Sequence, residues 1–382
     1  MKPARILVIQ TAFLGDVILA SPVWENLHLQ FPAAQIDVVV KKGNESLLAA
    51  HPFLNQVFVF DKSQKVKNLW NLGKTLRSKQ YDLVINLQRF ASSGILTILA
   101  KGKESRGFEK NPLSLFFSKR FKHEMKPNWH EVDRNLSLIS DLVPAPIRRP
   151  QLYPSTEDLQ AIQMHQDVPY YCLAPTSVWF TKQAPESIWL KLINDLSAKQ
   201  QKIYLLGASS DQKYLDAIAK KAGTSEVVNL AGKLTLLQSA ALMAGAQHNY
   251  VNDSGPLHLA SATNAPVSAF FCSTVPAFGF GPLSDQSAII EVKDLDCRPC
   301  GLHGHKSCPK GHFRCGEGLQ STNTSPFLPS PLPQFSLHGK RAFRLQKSFQ
   351  RLQKRCGLRI LTNHILRITA LFGRCAVCLD RR

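Results

Sequence analysis

RILVIQTAFLGDVILASP, residues 5–22, places four consecutive apolar residues, Ile6 to Ile9, directly before a short turn and a second apolar stretch. An unbroken apolar run of this length fits a strand covered on both faces, as in a parallel sheet. The turn holds one glycine, Gly15, followed at once by Asp16. From Asp16 onward the apolar spacing fits a helix. Strand, turn and helix in this order open a βαβ unit.

The alternation continues outward. Strands are expected at Arg5–Gln10, Ile36–Val40, Val57–Phe60 and Tyr81–Leu87, and helices at Asp16–Leu29, Glu45–Ala50, Val66–Ser78 and Ser93–Ala100. A helix over His130–Leu142 closes this half. Pro144, Pro146, Pro150 and Pro154 then mark an extended linker. Beyond it the pattern restarts, with strands at Tyr170–Ala174, Lys202–Leu206, Val227–Asn229, His248–Val251 and Val267–Phe271. Helices fall between them at Glu186–Lys199, Asp211–Ala222, Leu236–Ala246 and Pro256–Ala262. The expected fold class is therefore α/β, with two Rossmann-like doubly wound domains over residues 1–150 and 151–315. Such domains present the carboxyl ends of their strands to a cleft, where ligands bind.

Composition agrees. The chain has 382 residues, 44% hydrophobic and 19% charged, with a mean hydropathy of −0.12. That is enough apolar material for two cores and excludes a disordered chain. No apolar run is long enough to span a membrane. The N-terminus leads almost at once into a strand without a signal-like segment, so a cytoplasmic location is expected. The formal net charge is +20. Residues 316–382 hold 12 Lys/Arg against 2 Asp/Glu, a net +10 that forms an atypical basic tail. Such charge implies anionic partners without choosing among them.

Three segments sit where cleft chemistry is expected. The first βα turn lacks the G-x-G-x-x-G spacing that admits a dinucleotide. An acid there disfavours phosphate but suits a general base, and the helix dipole should keep Asp16 ionised. An ordinary first-turn aspartate would look the same. Asn252-Asp253-Ser254-Gly255-Pro256-Leu257-His258 follows a strand and opens a helix. Its free N–H groups and the Ser254 hydroxyl form a natural phosphate cradle, with His258 one turn in. The plain alternative is an Asp/Ser cap over a buried histidine. Thr176, Ser177, Thr181 and Lys182 follow the first strand of the second half. They offer three hydroxyls and one cation to a diphosphate leaving group.

Taken in order, these segments resemble glycosyltransferase family 9, the lipopolysaccharide heptosyltransferases that use ADP-heptose. The resemblance rests on residues 5–22, Ala174–Lys182, Asn229–Ala246 and Val251–Ala262, and extends to about Cys315. It implies a GT-B fold, with the acceptor in the first domain, the nucleotide-sugar in the second, and inversion without a metal or other cofactor. It also implies Asp16 as general base and Lys182 as the diphosphate lysine. Asp253, Ser254, Gly255 and His258 would hold the nucleotide-sugar, and Leu234 would line the adenine. The implied partners are an ADP-heptose donor, a lipopolysaccharide core acceptor and the cytoplasmic face of the inner membrane, with no nucleic acid. Lys101, Lys103, Arg106, Lys110, Lys119, Arg120 and Lys122 are candidates for a basic acceptor face. The family often has Arg-Trp after the lysine, where this chain has Gln183 and Ala184, so a related glycosyltransferase using another nucleotide-sugar is the alternative reading.

Two segments stand apart. Cys297, Cys300, Cys308 and Cys315 form a Cys/His-rich loop with His303, His305 and His312. The ligand count would satisfy zinc, but the second C-x2-C of a zinc ribbon is missing, and a compact reduced loop is the other reading. In Lys340–Cys356, Ala342, Leu345, Phe349, Leu352 and Cys356 recur at helical spacing among basic residues. That describes a membrane-surface helix, while the abrupt change of composition equally suits out-of-frame translation. A basic nucleic-acid-binding protein would explain loop and tail but leave the cleft residues idle. A nucleotide-sugar epimerase would need the missing glycine fingerprint.

Overall fold

A computed structural model describes residues 2–126 and 128–321 and forms the expected alternation into two parallel six-stranded sheets. The first comprises β1 (Arg5–Gln10), β2 (Gln35–Lys41), β3 (Leu54–Phe60), β4 (Leu83–Asn86), β5 (Glu104–Phe108) and β6 (Lys119–Phe121). Its spatial order is β3-β2-β1-β4-β5-β6. The helices of this half are α1 (Leu14–Gln30), α2 (Lys65–Ser78), α3 (Ala91–Ala100) and α4 (Glu131–Ser137).

The second half begins with α5 (Thr156–Ile162). It continues through β7 (Tyr170–Ala174), α6 (Glu186–Ser197), β8 (Lys202–Leu205), α7 (Gln212–Ala222), β9 (Val227–Asn229) and α8 (Leu236–Gly245). It ends with β10 (His248–Asn252), α9 (Gly255–Thr263), β11 (Val267–Phe271), β12 (Ser287–Glu291) and the short α10 (Arg314–Glu317). Its order, β12-β11-β10-β7-β8-β9, repeats the first: each sheet grows outward on both sides of its opening strand. The chain therefore reverses direction between β1 and β4 and again between β7 and β10. Loops leaving the carboxyl ends of these pairs diverge and leave a crevice.

The central strands are fully buried, with Ile6, Leu7, Val8 and Ile9 all at 0% exposure. Their register, Ile6 beside Ile36 on one side and Leu83 on the other, stacks apolar residues across three strands. Helix α1 is buried over most of its length from Val17 to Leu27, as expected of an element packed on several sides. The proline-rich linker is pinned along it. Asn26 exchanges hydrogen bonds with the backbone of Ile147, Ser21 accepts from Gln151 N–H, and Tyr153 donates to Glu25.

Several expectations are corrected. The segment expected as a helix at Glu45–Ala50 is a single 3-10 turn, Glu45–Leu48. The helix expected over His130–Leu142 ends at Ser137 and continues as turns. Strands β5, β6 and β12 and helix α5 were not foreseen. β5 and β6 read ESRGF and KRF, too polar for an apolar-run criterion. β5 tolerates its charge because Arg106, 1% exposed, is paired with Glu104 and Asp141 and donates to Leu138 O. Arg106 is thus a buried structural cation, not part of an acceptor face. Lys103 pairs with Asp82 and Lys119 with Asp141, whereas Lys101, Lys110, Arg120 and Lys122 are exposed with no ion pair among the described residues. The packed body also continues beyond residue 315: Leu319 is buried and Gln320 donates to Ser187 Oγ. The Lys340–Cys356 helix lies outside the described residues.

Candidate active site

The two chain reversals bring the foreseen segments together. After β1 the chain turns at Thr11–Phe13, and Asp16 occupies the third position of α1, where its Oδ2 accepts from Phe13 N–H at 3.2 Å. Gly15 precedes it because there is no room for a side chain: a Cβ would lie 2.5 Å from His258 Cδ2. His258 belongs to α9, so the starts of α1 and α9 meet at this point. Gly255 serves the reciprocal contact, since a Cβ there would lie 2.8 Å from Leu14. Both glycines, one expected to shape a turn and the other a phosphate cradle, let two helices approach closely.

Asp16 departs from expectation. Burial, and after it the Glu131 carboxylate, push its carboxyl up to about 6, against the N–H groups of Phe13 and Asp16 and the Arg89 guanidinium. The start of the helix does not hold it fully ionised; desolvation and a like charge outweigh it. Glu131 is itself pushed up by burial, although Arg134 opposes this. Arg134 Nε pairs with Glu131 at 2.7 Å, and its other nitrogens donate to Phe278 O and Trp129 O. A carboxyl with a pKa near 6 is a better proton acceptor at neutral pH than an ordinary aspartate.

In the second half, Lys182 Nζ pairs with Asp253 Oδ2 at 2.7 Å, and the same oxygen accepts from Thr274 Oγ1 at 2.6 Å. Asp253 is buried, whereas Lys182 keeps 17% of its side-chain surface open. His258, against which Gly15 packs, also feels the charge of Lys182. Burial, with the charges of His130 and Lys182, pushes its imidazole down to about 3, so it is neutral. Its Nδ1 has no hydrogen-bond partner among the described residues. Ser254 occupies the N-cap position of α9 without capping it: its hydroxyl donates back to Asn252 O at 3.4 Å. Pro256 has no N–H and Leu257 N–H donates to Ser254 O at 3.1 Å, so Gly255 N–H is the donor that the first turn of α9 leaves for an anion.

Not every candidate converges. Thr176 donates to Asp211 at 2.9 Å, and Ser177 Oγ accepts from Trp179 N–H at 3.5 Å. Thr181 is buried at 1% exposure with its hydroxyl committed to His305 N–H and Ser273, so it is a structural residue, not a substrate contact. Leu234 is half-buried and packs against the core ahead of α8. Gln183 Nε2 donates to Ser177 O, and Ala184 N–H donates to Asn252. The six described cysteines are free. No group of three His, Cys, Asp or Glu converges as a metal site among the described residues. Glu131, Arg134 and Thr274 were missed. The available signal was that polar residues close the apolar strands β1, β4 and β10 at Gln10, Asn86 and Asn252, marking the ends that face the crevice.

Residues 69–310 match the family model of glycosyltransferase family 9 (heptosyltransferase). The chain belongs to this family. Lipopolysaccharide heptosyltransferase 1 of Pseudomonas aeruginosa is 27% identical over 308 residues, covering 78% of this chain and 86% of that protein. Lipopolysaccharide heptosyltransferase 3 of Escherichia coli is 29% identical over 278 residues, covering 69% and 82%. The structure of E. coli ADP-heptose lipopolysaccharide heptosyltransferase II superposes with a TM-score of 0.67 at 23% identity, covering 82% and 98%. This family 9 chain thus has the GT-B fold and is a glycosyltransferase.

Proposed function

We propose that this family 9 enzyme transfers heptose from ADP-heptose to the inner core of lipopolysaccharide, with inversion at the anomeric carbon. The observation that carries the reading is the arrangement around His258. Gly15, which precedes the carboxyl with pKa near 6, packs on its ring, and the charge of Lys182 acts on it at the start of α9. Asp16 removes the proton from the acceptor hydroxyl as its oxygen attacks the anomeric carbon. ADP leaves from the opposite face through an oxocarbenium-like transition state. Negative charge then grows on the diphosphate, where Lys182 and the first turn of α9 stabilise it. Asp253 orients Lys182, Ser254 and Gly255 face the phosphates, and Leu234 lines the adenine. The names of the curated relatives support heptose as the sugar and lipopolysaccharide as the acceptor class.

Incubating the purified chain with ADP-heptose, UDP-sugars and GDP-sugars and a short core oligosaccharide tests the donor assignment. Turnover with ADP-heptose alone is expected, and it should persist in EDTA. Preference for a UDP- or GDP-sugar would overturn the assignment.

We also place the enzyme in the cytoplasm at the inner face of the inner membrane, where a lipid-anchored acceptor is presented. No helix among the described residues is long and apolar enough to cross a membrane. The formal net charge of +20 supports a peripheral, electrostatic attachment to anionic lipid. The full chain is expected to co-sediment with anionic vesicles at low salt and to be released as salt rises. Equal recovery with neutral vesicles would refute it.

A further inference from the structure

The Cys/His-rich loop, residues 297–315, takes no part in the chemistry above, yet its polar contacts converge on the turn that carries Lys182. His305 N–H donates to Thr181 Oγ1 at 2.8 Å, and Thr181 N–H donates to the His305 carbonyl at 3.1 Å. Gly304 lies so close that a Cβ there would come within 2.4 Å of Trp179 Cβ and 2.8 Å of Lys182 Cγ. The loop therefore covers the lysine's stem as well as fixing the residue before it.

A second line of contacts reaches the lysine's partner. Cys300 N–H donates to Ser273 O at 3.0 Å, and Ser273 Oγ donates to Thr181 Oγ1 at 3.0 Å. Arg298 donates to Thr274 O through Nε at 3.0 Å and Nη2 at 2.6 Å, and its guanidinium is anchored by Glu291. Thr274 Oγ1 in turn holds the Asp253 oxygen that pairs with Lys182.

We propose that loop 297–315 is a positioning element for Lys182, fixing its backbone and stem through Thr181 and Gly304 and its partner carboxylate through Thr274. The proposal rests on Lys182 binding the donor diphosphate. A lysine is a point charge on a flexible stem, and it stabilises a leaving group only when that stem is held. The loop's hydrogen bonds to the turn come from backbone N–H and C=O groups of His305, so the imidazole of that residue is not the operative group. Thr181 is the side chain through which the loop acts.

The test is a double-mutant cycle read by ADP affinity in calorimetry, with donor and acceptor KM measured in parallel. Thr181→Val keeps the shape but loses the acceptor oxygen, and it should weaken ADP binding roughly tenfold while leaving acceptor KM unchanged. Thr181→Ser restores the oxygen and should bind ADP as the parent does. On a Lys182→Ala background, Thr181→Val should cost less than about twofold, because the group it positions is gone. An equal loss on both backgrounds, or donor and acceptor KM rising together, would overturn the proposal. Should Thr181→Val fail to fold, Gly304→Ala enters the same cycle with the same criteria. Lys182→Ala alone decides the underlying reading: unchanged ADP affinity in that variant removes the diphosphate assignment and the positioning role with it. Weakened binding there, with no coupling to Thr181 or Gly304, removes only the loop's role.

Discussion

Replacing Asp16 by asparagine should make the protein more stable and leave it nearly inactive. The side chain keeps its shape, and its carbonyl oxygen still accepts from Phe13 N–H, which Asp16 does now at 3.2 Å. What disappears is a charge held in a half-buried site beside Glu131. Holding a carboxyl at about 6 instead of 3.8 costs the ionised native state about 3 kcal/mol at pH 8 and about half that at pH 5. The sign follows from the raised folded value. Below 3.8 the group is neutral whether folded or not and contributes nothing. Between 3.8 and about 6 the unfolded chain releases its proton first, and the penalty grows to its full size above 6. Urea denaturation of parent and Asp16→Asn should therefore show a gain of about 1–3 kcal/mol at pH 8 that shrinks by about half at pH 5. Transfer should fall about 10²–10⁴-fold, with ADP affinity nearly intact. A variant less stable than the parent at pH 8, or a gain independent of pH, would refute the burial argument. Parental turnover would remove Asp16 from the mechanism.

Because the base must be ionised, kcat/KM should decline below about pH 6, roughly tenfold per pH unit, with the limb read from initial rates. Glu131→Gln removes the second-largest cause of the raised value and should move that limb down by about half a pH unit; an unmoved limb would exclude electrostatic communication between the two carboxyls. Gly15→Ala drives a methyl to within 2.5 Å of the buried His258 ring and should cost about 1–3 kcal/mol of stability in denaturant titration. Arg134→Met leaves Glu131 buried without its 2.7 Å partner and should cost about 3–5 kcal/mol, measurable as a lowered urea midpoint.

The fold was legible where one rule sufficed. The runs at Ile6–Ile9, Val38–Val40 and Val267–Phe271 report strands buried on both faces, and every position in them, the polar Ser268 included, lies at 0% exposure. β5 and β6 were hidden because Arg106 reads as a surface cation until Asp141, far along the chain, is placed beside it. The cleft segments were legible by position in the alternation, but their electrostatics were not. The Asp16 carboxyl depends on Glu131, and Lys182 on Asp253, pairs separated by many residues that only folding brings together. Thr181 looked like a ligand hydroxyl for the same reason: its partners, Ser273 and His305, belong to other segments.

The linker pinned along α1 has a mechanical corollary. Asn26, Ser21 and Glu25 grip the backbone of Ile147, the N–H of Gln151 and the hydroxyl of Tyr153. The connection up to Tyr153 is therefore seated against α1, while Arg149 within it reaches Asp285 of the second half. The grip ends at Pro154, immediately before Ser155 caps the next helix through Asp158 N–H at 3.1 Å. A residue inserted at Pro154 would leave the contacts with α1 in register, whereas the same insertion between residues 147 and 153 would pull Ile147, Gln151 or Tyr153 off its partner.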